Sequence, residues 1–224
     1  MNWMRKGLFI TIAVTLGGYV LLCLGLYGWG LQSRPDSFRT PPSVLPAAVV
    51  EQLAALEGVD QQAMPRLDPI TLLPRWWLAT RSHDRRSNWF DTLGTLSRFR
   101  GYRFGEQRNG TRRFFSQLAD MIYLSRHWNR EQVLSARAGY ANYGRDARDL
   151  NAAAHAWFER PLADLQAQEI VALWVLQHGS TYWDPFCHRD RFAQRYALLA
   201  SRVQGVKPDD FQSALPRMKA TVCR

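Results

Sequence analysis

Residues 129–199 read NREQVLSARAGYANYGRDARDLNAAAHAWFERPLADLQAQEIVALWVLQHGSTYWDPFCHRDRFAQRYALL. Cap and turn residues cut this stretch into helical pieces. Asn129 can accept from the amide three residues on while Gln132 reaches back, the reciprocal capping box that opens a helix. Asn151 to Phe158 is short, alanine-rich and closed by Pro161, which breaks a helix. Glu169 to Gln177, EIVALWVLQ, is apolar all round, the pattern of a buried central helix. The last piece sets Phe192, Tyr196 and Leu199 on one face and ends before Gly205. No strand-rich region or repeat appears, so the fold class is mainly α.

Upstream, Phe114, Leu118, Met121, Ile122 and Ser125 share one face of a helix starting near Arg112. AVVEQLAALEGV places Val49, Leu53 and Leu56 on a short amphipathic helix that ends near Gly58. Between them, prolines break PRLDPITLLPRWWLATR into a loop, with a helix opening at Pro74. Gly94 to Gly110 interleaves four glycines and four arginines with Phe99, Tyr102 and Phe104. That composition predicts a mobile basic loop or a β-ribbon. Such rings could stack on bases, but a membrane-tethered exported domain seldom meets nucleic acid, so none is expected as partner.

The N-terminus explains that tether. From Gly7 to about Trp29 the chain runs without charge, longer than the ~20 residues that cross a hydrocarbon core. A cleaved signal peptide fits less well, because its apolar region is typically ~7–15 residues and ends at small residues. Trp3, Tyr27 and Trp29 flank the run as interfacial aromatics do. Arg5 and Lys6 precede it without an acid, whereas Asp36 dilutes Arg34 and Arg39 after it. The positive-inside rule then leaves the C-terminal domain exported. The expected organisation is a membrane anchor over 1–30, a linker over 31–47 with four prolines, and a domain over 48–224.

Lys and Arg outnumber Asp and Glu by 29 to 19, and all but two of the basic residues lie beyond the span. A surface of this kind favours anionic partners, phosphate-bearing ligands or acidic headgroups. Cys23 lies inside the span, where a thiol behaves as a small hydrophobe. Cys187 and Cys223 are both exported, so an oxidising compartment would let them form a disulfide. Neither has metal-ligand spacing with another cysteine, and no metal site is expected.

The quoted stretch also resembles the C-terminal lobe of family-51 peptidoglycan glycosyltransferases, the domain that polymerises glycan strands in bifunctional penicillin-binding proteins. That family reads S-K-x-x-I-L-E-x-Y-L-N-x-x-x-x-G, then A-A-x-x-Y-F, L-T-x-x-E-A-A-x-L, Y-N-P and a closing arginine. The corresponding pieces are Asn129-Arg130, Val133-Leu134, Gly144, Ala152-Ala153, Trp157-Phe158, Arg160-Pro161, Leu165 with Glu169, Tyr182-Trp183-Asp184-Pro185 and Arg195. They keep register without insertion, and the match is best over 112–203. Each also has a structural reading: Gly144 at a positive-φ turn, Ala152 and Ala153 at a close helix contact, Glu169 as a helix cap more than a site residue, YWDP as a turn.

The resemblance implies a lysozyme-like helical domain behind the anchor. It also implies chemistry upstream of the stretch. A glutamate in E-D-x-x-F acts there as general base on the acceptor lipid II hydroxyl, and basic groups, often with a divalent cation, neutralise the leaving pyrophosphate. PRWWLATRSHDRR puts His83-Asp84 on the E-D pair, with Arg85 and Arg86 beside it as candidate pyrophosphate ligands. The family's R-K-x-x-E falls on Arg113, Phe114 and Gln117, so the second glutamate position holds glutamine, which bonds but carries no charge. No G-G-S-T-I-T-Q-Q counterpart exists.

Three readings of His83 follow. A neutral imidazole beside Arg81, Arg85 and Arg86 can serve as a base near neutrality, giving an active polymerase of lipid II. Loss of the second carboxylate and donor segment argues instead for lost or altered polymerase activity, with binding of lipid-linked precursor, glycan strand or a cell-wall synthesis protein. In the third, His83 is a solvated loop residue. Glycan cleavage would need a cleft glutamate, and between the first amphipathic helix and Glu131 only Glu106 is available. No cofactor is expected, a divalent cation being implied only for an active enzyme. The expected location is the inner (cytoplasmic) membrane of a bacterium, single-pass, with the domain periplasmic.

Overall fold

The computed structural model of the protein describes residues 2–32, 39–72, 74, 88–103, 110–177 and 179–220. Among them no strand occurs. The helices are α1 (Asn2–Leu31), α2 (Ala47–Glu57), α3 (Asn88–Arg103), α4 (Thr111–His127), α5 (Arg130–Gly139), α6 (Leu150–Phe158), α7 (Ala167–Leu176), α8 (Arg189–Ala200) and α9 (Phe211–Ala214). They sort into two compact units, Met1–Thr40 with Met64–Trp128, and Pro41–Ala63 with Asn129–Arg224.

In the first unit α1 is long and apolar enough over Gly7–Leu31 to cross a membrane. Leu8, Phe9, Ile10, Leu21 and Leu22 are exposed along it, as lipid-facing side chains are. Its C-terminal part, however, is packed on α4. At Gly30 a Cβ would stand 2.6 Å from the Ala119 Cβ and 2.9 Å from the Phe115 carbonyl oxygen, so only glycine lets the helices approach this closely. Tyr19 Oη donates to the Ile70 carbonyl at 2.7 Å. A helical turn over 69–72 is opened by Asp68, whose Oδ1 accepts from the amides of Ile70 and Thr71 at 3.0 and 2.8 Å. Helix therefore begins at Pro69, ahead of the expected opening at Pro74, because Asp68-Pro69 supplies both a cap and a first-turn proline.

The basic segment after Gly94 differs from expectation too. Gly94 through Arg103 continue α3 rather than forming a loop or ribbon. Trp89, Leu93, Leu96 and Arg100 recur at helical spacing and are buried, and even a Cβ placed on Gly94 would meet the Met121 sulfur only at ordinary contact distance, 3.7 Å. Burying that stripe against α4 outweighs the ~1 kcal/mol that a helical glycine costs.

The second unit is built around α7, whose residues Glu169 to Leu176 are all buried. It packs against α2, α6, α8 and α9. Asn129 and Gln132 form the expected capping box of α5. Asp149 caps α6 through the Ala152 amide at 2.7 Å, and Gly58, at φ 69°, ends α2. Phe192 and Tyr196 of α8 meet the Phe211 ring at 6.4 and 5.8 Å.

Two polar devices fix this core. Arg137 is buried, with Nε 3.2 Å from Glu57 Oε1 and Nη1 donating to Gln177 Oε1 at 2.5 Å. Its guanidinium also lies 5.1 Å from the Trp174 ring centre. Glu169 is fully buried, accepts the Gln166 amide at 2.8 Å, and pairs with Arg160 and, at 3.5 Å, with Arg217.

Candidate functional site

The sequence places its candidate chemistry in two clusters. His83, Asp84, Arg85 and Arg86 lie outside the described residues. Gln117 and Arg113 stand on the first half of α4, which the apolar stripe Leu118, Met121 and Ile122 orients by burial.

Arg113 Nη2 donates to Tyr102 Oη at 2.7 Å and its guanidinium sits 5.0 Å from that ring's centre. The arginine is thus held by a neutral group, with its charge free of any acid in the first turn of α4. Gln117 is half-buried, and its backbone carbonyl accepts from Ser97 Oγ at 3.3 Å. The same hydroxyl donates to Asp120 Oδ2 at 3.0 Å.

Asp120 is a residue the sequence reading missed. It lies one turn beyond Gln117 and is completely buried, the only buried carboxylate of the first unit among the described residues. An acid interrupting the buried stripe of α4 was the available signal. Its enclosure decides its chemistry: a carboxylate without access to solvent cannot take a proton from a substrate hydroxyl, which requires ~2.6–3.2 Å approach. Arg100, also fully buried, lies 4.4 Å over the Trp128 ring. This side of the unit is a packed polar core.

The motif residues of the second unit make contacts that hold turns and helix packing in place. Gly144, at φ 78°, opens a turn in which Arg145 and Asp146 also have positive φ, at 52° and 59°. A Cβ on Gly144 would collide with Ser180 Oγ. The Arg145 guanidinium lies 3.6 Å over the Trp157 ring and donates to the carbonyls of Ala156 and Lys219 at 3.1 and 2.6 Å. Trp157 Nε1 donates to the Tyr143 carbonyl at 3.0 Å. In YWDP, Asp184 Oδ1 accepts from the amides of Phe186 and Cys187 at 2.8 and 3.1 Å, a turn made by an aspartate side chain.

Tyr143 and Tyr196 are held protonated, burial pushing both phenols well above their ordinary range. Neither serves acid–base chemistry near neutrality. Arg130 pairs bidentately with Glu51, at 2.7 and 3.1 Å. Those two hydrogen bonds hold the Glu51 carboxyl below its ordinary value. Cys187 is disulfide-bonded, and Cys223 lies outside the described residues. Among the described residues, no three His, Cys, Asp or Glu side chains gather as metal ligands.

A turn with three positive-φ residues, the tryptophan beneath it, the capped glutamate of α7 and the aspartate turn thus follow one another at the expected spacings. Residues 100–204 match the family model described as Transglycosylase. Over that span the chain is similar to the transglycosylase family. No curated protein matches it. The transglycosylase match reaches further upstream than the motif register, which is best over 112–203, and takes in the end of α3. It therefore covers Arg113 and Gln117 and stops short of His83. That similarity supports a peptidoglycan glycosyltransferase-like function, and the family it points to acts on glycan or lipid II.

Proposed function

We propose that this protein is a membrane-anchored, exported relative of the peptidoglycan glycosyltransferases that has lost polymerase activity and binds lipid-linked precursor, glycan or a cell-wall partner protein. One observation carries the reading. At the second carboxylate position stands Gln117, and the nearest carboxylate along α4, Asp120, is sealed from solvent. Polymerisation needs a base on the acceptor hydroxyl and fixed charge where charge develops, terms worth orders of magnitude in rate. A neutral amide and a buried acid supply neither.

Binding needs less. Arg113, braced by Tyr102 rather than neutralised, retains its charge for a pyrophosphate, and Arg85 and Arg86 are the further candidates by sequence. The domain is held at the outer face of a bacterial cytoplasmic membrane by α1, and Cys187 pairs with Cys223 in that oxidising compartment.

Incubating the full-length protein with fluorescent lipid II tests the reading. The expected outcome is no polymer together with saturable, salt-sensitive binding that weakens in Arg113→Gln. Polymer formation abolished by His83→Ala would overturn it in favour of an active enzyme with a histidine base, and absence of both polymer and binding would remove any glycan role.

A further inference from the structure

The seat of α1 on α4 brings Arg112 and Trp29 together, side chains that the precursor reading does not use. Because Gly30 lies against Phe115 and Ala119, the first turns of α4 stand beside the last turn of α1, where an apolar helix leaves the hydrocarbon. Trp29, itself 40 % exposed, has the Arg112 guanidinium 5.7 Å from its ring centre and the Phe115 ring at 6.4 Å. Across the patch Arg113 braces Tyr102, which is 66 % exposed, and exposed Arg103 follows it in the last turn of α3. Two arginine–aromatic pairs, Arg112 with Trp29 and Arg113 with Tyr102, therefore start from adjacent positions in the first turn of α4, and exposed Arg103 follows Tyr102 in sequence. Along these elements the described acids are Asp91, at the far end of α3, and the buried Asp120.

We propose that this corner binds the phosphodiester headgroup of an anionic phospholipid, with Arg112 and Arg103 on the phosphate and Trp29 at the glycerol level. The proposal goes beyond precursor binding and rests on α1 being a membrane anchor. Tryptophan settles at the headgroup level of a bilayer, and a guanidinium offers a fork of donors to phosphate oxygens. The lipid is favoured over a dissolved anion because Leu21, Leu22 and Leu24 remain exposed on α1 just below Trp29, an apolar lane for the acyl chains that carry the phosphate. A zwitterionic headgroup brings its own ammonium into the arginine patch and loses most of the gain.

Native mass spectrometry of the full-length protein in detergent, with added phosphatidylglycerol, phosphatidylcholine or inorganic phosphate, tests the assignment. Phosphatidylglycerol is expected to be retained in preference to phosphatidylcholine, and millimolar phosphate should not displace it. Arg103→Gln with Arg112→Gln should weaken that preference about thirtyfold, from ~1 kcal/mol per arginine near a membrane surface, while Arg103→Lys with Arg112→Lys keeps most of it. Equal retention of the two lipids, or an unchanged preference in the glutamine variant, overturns the proposal; displacement by phosphate assigns a soluble-anion site and overturns it as well. Alkaline carbonate extraction of the same protein from membranes reports separately on the anchor. Release would overturn both, whereas retention with no lipid preference would overturn only the headgroup site.

Discussion

Replacing Glu169 separates a cap from a site residue. Its carboxylate is fully buried, accepts the Gln166 amide at 2.8 Å and faces Arg160 and Arg217. Glu169→Ala removes the cap, worth about 1 kcal/mol, and strands two arginines. Breaking a buried pair costs about 3–5 kcal/mol, but here the arginine side chains are 36 % and 43 % exposed and can turn to water. The discounted total is about 3 kcal/mol. Glu169→Gln keeps an acceptor for the amide and loses only the charge, so about half of that is expected. Hydrogen exchange of the α7 amides reads the difference locally, without assuming that the two units unfold together. At tenfold per ~1.4 kcal/mol, protection in α7 should fall about 100-fold for alanine and about tenfold for glutamine. Unchanged exchange in Glu169→Ala would refute the argument, and lost lipid II binding with intact exchange would make Glu169 a site residue.

Gly144→Ala should destabilise the second unit by at least about 1–3 kcal/mol in a denaturant melt, since φ is 78° and the new Cβ would meet Ser180. Gly30→Val should loosen α1 from α4, exposing the Ala119–Ile122 stretch to proteolysis at a cost of about 1–3 kcal/mol for overpacking; an unchanged digestion pattern would argue against the close seat. The Glu51–Arg130 pair holds the Glu51 carboxyl below its ordinary value. Its contribution is thus present above the unfolded carboxylate range and lost as pH falls through the depressed value. Because the Glu51 side chain is 63 % exposed, Glu51→Gln should cost no more than about 1 kcal/mol at pH 7, and the difference from wild type should shrink in melts taken at progressively more acid pH.

The helices were legible where caps and burial agree. Asn129 with Gln132 marks the start of α5, Gly58 the end of α2, and the unbroken apolar run the central position of α7. All three are local signals that tertiary packing reinforces. The basic segment from Gly94 to Arg103 was misread because its glycines and arginines speak for a loop, while Leu93, Leu96 and Arg100 become a buried stripe only once α4 lies beside them. Asp120 was invisible for the same reason: a single aspartate in a helix looks solvated until its neighbours enclose it. The short turns after Pro208, which carry Phe211 onto Phe192 and Tyr196, have no periodicity of their own. Of the candidate site, the substitution at Gln117 was readable from the motif register, but its burial beside Ser97 and Asp120 was not.

The seat at Gly30 also bears on how such a chain can be handled by a cell. A tether joined by a loose linker can be clipped or exchanged without harm to what it holds. Here Phe115, Leu118, Ala119 and Ile122 lie beside α1, so if α1 is the anchor proposed above, a protease that severed and removed it would leave a greasy strip on the released part. Shedding would then be a disposal signal rather than a route to a secreted form. A generic membrane helix grafted in its place would keep the address while losing part of the protein's core.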